Sequence, residues 1–209
     1  MENVQPVALK DTARVPARNW VISNLLRGLS ATFANIGGYI LLILAVLVTV
    51  ETIGRKFFNI SLQGVDELGG YALAVGSTLA FTTALIERAH IRIELFHVML
   101  PVTLQMLLNW VAITLIAAFG GLLAWVCFTI LEDSFSYNST APTPWATPLI
   151  YPQSLWYAGI AVFALVASLM ALHATYLLLT GNATALNQLY GPKEAVEEVK
   201  EELEDLARR

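Results

Sequence analysis

ATFANIGGYILLILAVLVTV, residues Ala31 to Val50, decides the fold. It contains no Asp, Glu, Lys or Arg, and its length meets the requirement of about 20 apolar residues for an α-helix crossing a ~30 Å hydrocarbon core. Working outward, three more uncharged runs have spanning length: Leu68 to Ile86, Pro101 to Leu131 and Leu155 to Leu179. The composition agrees. Of 209 residues 56% are hydrophobic and 13% charged, against about 25% charged in soluble domains, and the mean hydropathy is +0.63. The pattern predicts an all-α integral membrane protein of four transmembrane helices, with spans at about 31–52, 68–88, 101–131 and 154–180.

The flanks divide the chain further. Residues 1–30 read as an N-terminal segment in which Ile22, Leu25, Leu26 and Leu29 share one side, either an interfacial lead-in helix or the early part of a long first helix. The first apolar run is of spanning length and starts near residue 31, so it is expected to stay rather than be cleaved. Residues 181–209 form an acidic tail: Val196, Val199, Leu203 and Leu206 take one helical face, among seven acids and four bases from Pro192 onward. That tail carries most of the formal net charge of −4, so the rest is nearly neutral and no nucleic-acid partner is implied. A solvated helix and a docking helix both fit it.

Positive charge sets the orientation. With four spans, one side holds Lys10, Arg14, Arg18, Arg27, Arg88, Arg92 and the four bases of the tail, and the other only Arg55 and Lys56. Lys and Arg concentrate on the cytoplasmic side, so both termini are expected in the cytoplasm. The loop EDSFSYNSTAPTPWATPLIYPQS has neither Lys nor Arg, which suits the outer face. Its prolines, Pro142, Pro144, Pro148 and Pro152, predict an irregular crossover with Trp145, Tyr151 and Trp156 at the interface. Asn-x-Ser/Thr triplets at Asn59, Asn138 and Asn182 are pattern matches alone.

Chemistry-bearing residues gather at the span ends. Between spans one and two, Arg55 and Lys56 adjoin Phe57 and Phe58 in a segment expected to lie flat in the interface, while Asp66 and Glu67 open the second helix, where its dipole favours acids. None of the spans carries an acid or base near its middle, whereas ion pathways usually need them there. In the second span Ala72, Gly76, Ala80 and Ala84 recur every four residues, a stripe of small side chains that lets helices approach closely, within the chain or toward a partner. Gly37/Gly38, Gly69/Gly70 and Gly120/Gly121 are further thin places. Cys127, the single cysteine, reads as a packing residue.

The loop IERAHIRIELF, Ile86 to Phe96, holds Glu87/His90 and, one residue beyond it, completes Glu94/His97. Paired Glu-x-x-His units on facing helices build di-metal sites. Here they lie seven residues apart on one short segment and cannot surround a metal alone, so no metal or cofactor is expected. An alternative is a four-helix redox subunit, haem or di-metal, using His90, His97 and His173. Against it, a hydrogen-bonded structural His173 is the simpler reading. With Ile86, Ala89, Ile93, Phe96 and Leu100 on one face, the loop reads as an amphipathic strip along the cytoplasmic interface.

In these residues the sequence resembles the small membrane subunit of tripartite ATP-independent periplasmic (TRAP) transporters. The family's arginine followed by a His-Ile-x-Val-Asp-like run and Leu-Pro stands here as Arg88, HIRIEL (His90 to Leu95) and Leu100-Pro101. Its arginine, Phe-Asn-x-Ser and acidic Glu-Leu pair stand as Arg55, FNIS (Phe58 to Ser61) and DEL (Asp66 to Leu68). The approach to span four, STAPTPWATPLIYPQSLWY, is a third likeness. Val65 replaces a common tryptophan, and Glu94 an aspartate.

The likeness runs over roughly residues 30–180. It implies a non-enzymatic scaffold in the inner membrane of a bacterium or archaeon, a multi-pass protein packed against a large sodium-coupled elevator subunit. It also implies that a periplasmic substrate-binding protein delivers an organic acid to the pair. Arg55, Glu67, Arg88, His90 and Arg92 are the expected anchors, to partner or to lipid.

Overall fold

A computed structural model of the chain describes residues 17–89 and 100–191, with side chains of the first helix from residue 26 onward. Its elements are α1 (Ala17–Ile53), a wider π-helical turn (Gly54–Phe58), α2 (Val65–Ile86), α3 (Val102–Ser136), α4 (Ile150–Leu179) and a short α5 (Ala183–Tyr190). Four of these are long and apolar enough to cross a bilayer, over Leu26–Phe58, Val65–Ile86, Val102–Ser136 and Ile150–Leu179. Among the described residues the sole extended pairing is a single antiparallel bridge from Thr140 to Pro148.

α1 is unbroken from Ala17, so of the two readings of the lead-in the second holds from residue 17 onward: it is the early part of one long helix. At 35 residues α3 is about 52 Å long, well beyond the hydrocarbon thickness. It must tilt or project.

One expectation needs correction. Pro152 does not lie outside the fourth helix, which begins at Ile150. A proline in the first turn removes an N–H that has no intrahelical acceptor, so the helix loses nothing there. The other three prolines stay in the crossover, as expected.

Contacts set the lateral order. α1 packs on α2, α2 on α4, and α4 on α3, giving an open row α1–α2–α4–α3 rather than a closed bundle. α2 and α4 both start at the end bearing the α1–α2 and α3–α4 connections, here the connection end, so they run parallel. The opposite end, where α2 stops and α5 follows α4, is the terminal end.

Each seam has a thin point. Gly76 of α2 sits against Leu41 of α1, and Gly37 of α1 faces the Gly76 carbonyl and Leu79. At the middle seam the Cα of Gly159 faces Thr78 so closely that a side chain there would overlap Thr78. At the last, Gly120 lies against Phe163 and Ala164. In each predicted glycine pair one member takes the close approach, while Gly38, Gly70 and Gly121 have nothing within 4 Å of where a Cβ would be. Of the small-residue stripe only Gly76 is buried; Ala72 and Ala84 are half-buried and Ala80 is exposed.

The core lies in the terminal half, where Leu85, Ile113, Phe163, Ala167, Ala174 and Leu186 come together from α2, α3, α4 and α5. Around it the row presents apolar side chains outward, among them Leu42, Ile43, Leu115, Phe119, Leu165 and Leu172.

Candidate functional site

Polar side chains collect at the two ends of the row. At the connection end the organiser is Glu51, only 3% exposed on the last turns of α1. Its carboxylate accepts from Arg55 Nε at 3.0 Å and Nη2 at 2.6 Å, from Ser61 Oγ at 2.9 Å and from the Leu62 backbone N–H. A buried carboxylate needs such donors, and here they come from the segment that follows it. The α1–α2 connection is thereby folded back over the end of α1. Asn59, at φ 53°, makes the reversal possible by ending the π-turn in the left-handed region that asparagine tolerates.

Glu67 plays the matching part for the second connection. In the first turn of α2 it is buried, accepts from Tyr71 Oη at 2.9 Å, and takes hydrogen bonds from Thr143 and Thr147 of the crossover. The crossover itself is held by Ala141 N–H to the Thr147 carbonyl and Leu149 N–H to the Ser139 carbonyl, both at 2.9 Å. Gly64 completes the joint. Its φ of 91° starts α2 from a left-handed residue, and the missing side chain lets the Trp145 indole lie against its backbone. Both connections thus form one ordered cap.

At the terminal end Ser30 of α1 donates to Glu87 Oε1 at 2.9 Å, tying α1 to the end of α2. Arg88, at φ 58°, then reaches the short helix α5: its Nη1 donates to the carbonyls of Gln188 at 2.8 Å and Gly191 at 3.4 Å. Helix C-terminal carbonyls lack intrahelical donors and carry partial negative charge, so a guanidinium is a suitable cap. Asn182 caps the other end, accepting from Ala185 N–H at 3.1 Å.

Three further links seat α5. Asn109 Nδ2 donates to Asn187 Oδ1 at 2.9 Å, and Asn187 Nδ2 to the Val102 carbonyl at 3.2 Å. His173 Nδ1 lies 2.8 Å from Tyr190 Oη, with the rings edge to face. Burial pushes the Tyr190 phenol above its usual pKa.

Of the expected anchors, Arg55 and Glu67 therefore sit at the connection end and Arg88 at the terminal end, each bonded within the chain. His90 and Arg92, with Glu94, His97 and the tail beyond Gly191, lie outside the described residues. His173 is hydrogen-bonded as the simpler reading anticipates. No group of three or more metal-binding side chains is found among the described residues. Sequence reasoning passed over Glu51 as an organiser, although Arg55 four residues on was a signal. Asn109 and the short helix α5 were also missed; the cap signature at Asn182 could have revealed the helix.

Compared with known proteins, the chain matches the family model described as "Tripartite ATP-independent periplasmic transporters, DctQ component" over residues 44–176. No curated protein and no solved structure matches it.

Proposed function

Because the chain belongs to the DctQ-component family of tripartite ATP-independent periplasmic transporters, and so is a small permease component, we propose that it is the fixed, non-catalytic scaffold of such a transporter. The observation that carries this reading is the open row. A row one helix thick encloses no chamber in which a solute could be wrapped. The buried carboxylates of its spans, Glu51 and Glu67, stand at one end and are engaged by donors of the same chain. Such a layer is suited to lie against something larger.

In the proposed assembly a large subunit binds the organic acid and sodium and moves elevator-fashion, while a soluble periplasmic protein delivers the substrate. This chain lies in the inner membrane of a bacterium or archaeon with both termini cytoplasmic. The connection cap then faces the periplasm. Ends stiffened by Glu51, Glu67 and Arg88 keep the row in shape as the neighbour slides, and Arg55, Glu67, Arg88, His90 and Arg92 act at the interfacial ends.

Deletion of this chain tests the reading. Sodium-driven uptake of the organic acid should be lost, and the tagged chain should co-purify with one large polytopic subunit. Undiminished uptake in the deletion strain would remove the proposal.

A further inference from the structure

A groove of about 320 Å³ opens at the connection end between the last turns of α1, the π-turn and the start of α2. Val48, Thr52 and Val65 supply its apolar wall, and Glu51, Arg55, Lys56 and Asp66 its polar one. The charges are not equivalent. Glu51 and Arg55 are matched to each other at 2.6 Å. Lys56 and Asp66 are exposed and make no side-chain hydrogen bond among the described residues, while Asp66 lies near enough to Arg55 to interact electrostatically. The rim therefore offers one cationic and one anionic position over an apolar floor.

Below the rim the α1–α2 seam is closed but flanked by open surface: Gly70 of α2, four residues on from Asp66 and on the same helix face, has nothing within 4 Å of its absent Cβ. Gly69 beside it rests on Leu44 of α1. Further along, Leu73 of α2 is 56% exposed, and on α1 Leu41 and Val48 are also exposed. The polar rim thus adjoins exposed apolar side chains of both helices.

We propose that this groove is a site for a phospholipid with a primary-ammonium headgroup, of the phosphatidylethanolamine class. The phosphate pairs with Lys56 and the exposed edge of Arg55, the ammonium donates hydrogen bonds to the Asp66 carboxylate, and an acyl chain lies along the exposed apolar side chains of α1 and α2. A choline headgroup has no N–H to donate to Asp66, and a glycerol headgroup has no cation for it. Charge complementarity thus selects one headgroup, and the apolar wall and exposed apolar side chains beside it select a lipid over a free ion.

The test uses the full chain in detergent, loaded from mixed vesicles of phosphatidylethanolamine, phosphatidylcholine and phosphatidylglycerol, with bound lipid counted by native mass spectrometry. Wild type should retain phosphatidylethanolamine at least five-fold over phosphatidylcholine, a roughly 1 kcal/mol preference. Asp66→Asn should abolish that preference while leaving phosphatidylglycerol retention intact. Lys56→Gln should weaken all three. Neither variant replaces a member of the Glu51–Arg55 pair, and an unchanged melting temperature shows that each folds. Equal retention of the three lipids by wild type, an unaltered preference in Asp66→Asn, or displacement of the lipid by millimolar inorganic phosphate would each overturn the proposal.

Discussion

Arg88 Nη1 lies 2.8 Å from the carbonyl oxygen of Gln188, a hundred residues further along the chain. The arginine that ends α2 is thus a clamp on the helix that follows α4. Hydrogen bonds from a charged donor contribute about 1.5–3 kcal/mol when buried, and Arg88 is only half-buried. Arg88→Ala should therefore lower stability by about 1–2 kcal/mol and make the segment around Gly181 the first site of protease cleavage. Arg88→Lys should recover part of it, since one ammonium can serve one carbonyl well but lacks the planar fork. Cleavage kinetics of the three proteins check the order.

Gly159 and Gly121 look alike in sequence and should behave oppositely. A Cβ at Gly159 meets Thr78 at the α2–α4 seam, whereas one at Gly121 meets nothing within 4 Å. Gly159→Ala should cost about 1–3 kcal/mol by overpacking, and Gly121→Ala should be neutral or stabilising by up to about 1 kcal/mol through helix propensity. Thermal unfolding in one detergent compares them. A stable Gly159→Ala protein would show that the seam is looser than described.

Glu51→Gln removes the carboxylate charge on which Arg55, Ser61 and the Leu62 N–H converge. The expected result is a connection of residues 54–64 that frays, with faster hydrogen exchange there and no change at the terminal end. Arg55→Lys should give an intermediate effect, because Nε and Nη2 both bond Glu51 and lysine offers one nitrogen in their place.

The seat of α5 should be sensitive to alkali. The Tyr190 pKa is raised in the folded chain by burial, so the folded state holds that proton more tightly than the unfolded one. The stabilisation is complete below the unfolded value of about 10 and is lost as pH rises through the folded one. Protease release of the segment beyond Thr180 should increase across that range. In Tyr190→Phe the alkaline rise should vanish, at the cost of the bond to His173.

The four helices were legible because each long apolar run has one stable form in lipid. Their ends were less so. α2 starts at Val65, three residues before the predicted span, because Gly64 takes a left-handed turn and the acids Asp66 and Glu67 suit a first turn. α3 runs on to Ser136 past Glu132 and Asp133, since charge ends an apolar run without ending a helix. The anchors were legible as residues but not as bonds. That Arg88 meets Gln188, or Glu67 meets Thr143, depends on how the row orders its helices, and neither local periodicity nor spacing carries that order. Thr78 against Gly159 is the same case: both read as ordinary small residues until the two parallel helices meet.

A single-file row has a mechanical property that a bundle of the same four helices lacks. With neighbouring axes about 8–10 Å apart, an open row α1–α2–α4–α3 reaches further sideways than a closed bundle of the same helices. The rotational drag of an object in a thin fluid sheet grows with the square of its lateral reach, so an open row resists twisting more than a compact cylinder of equal mass. Fastened along one edge of a larger body, this chain would act as a keel.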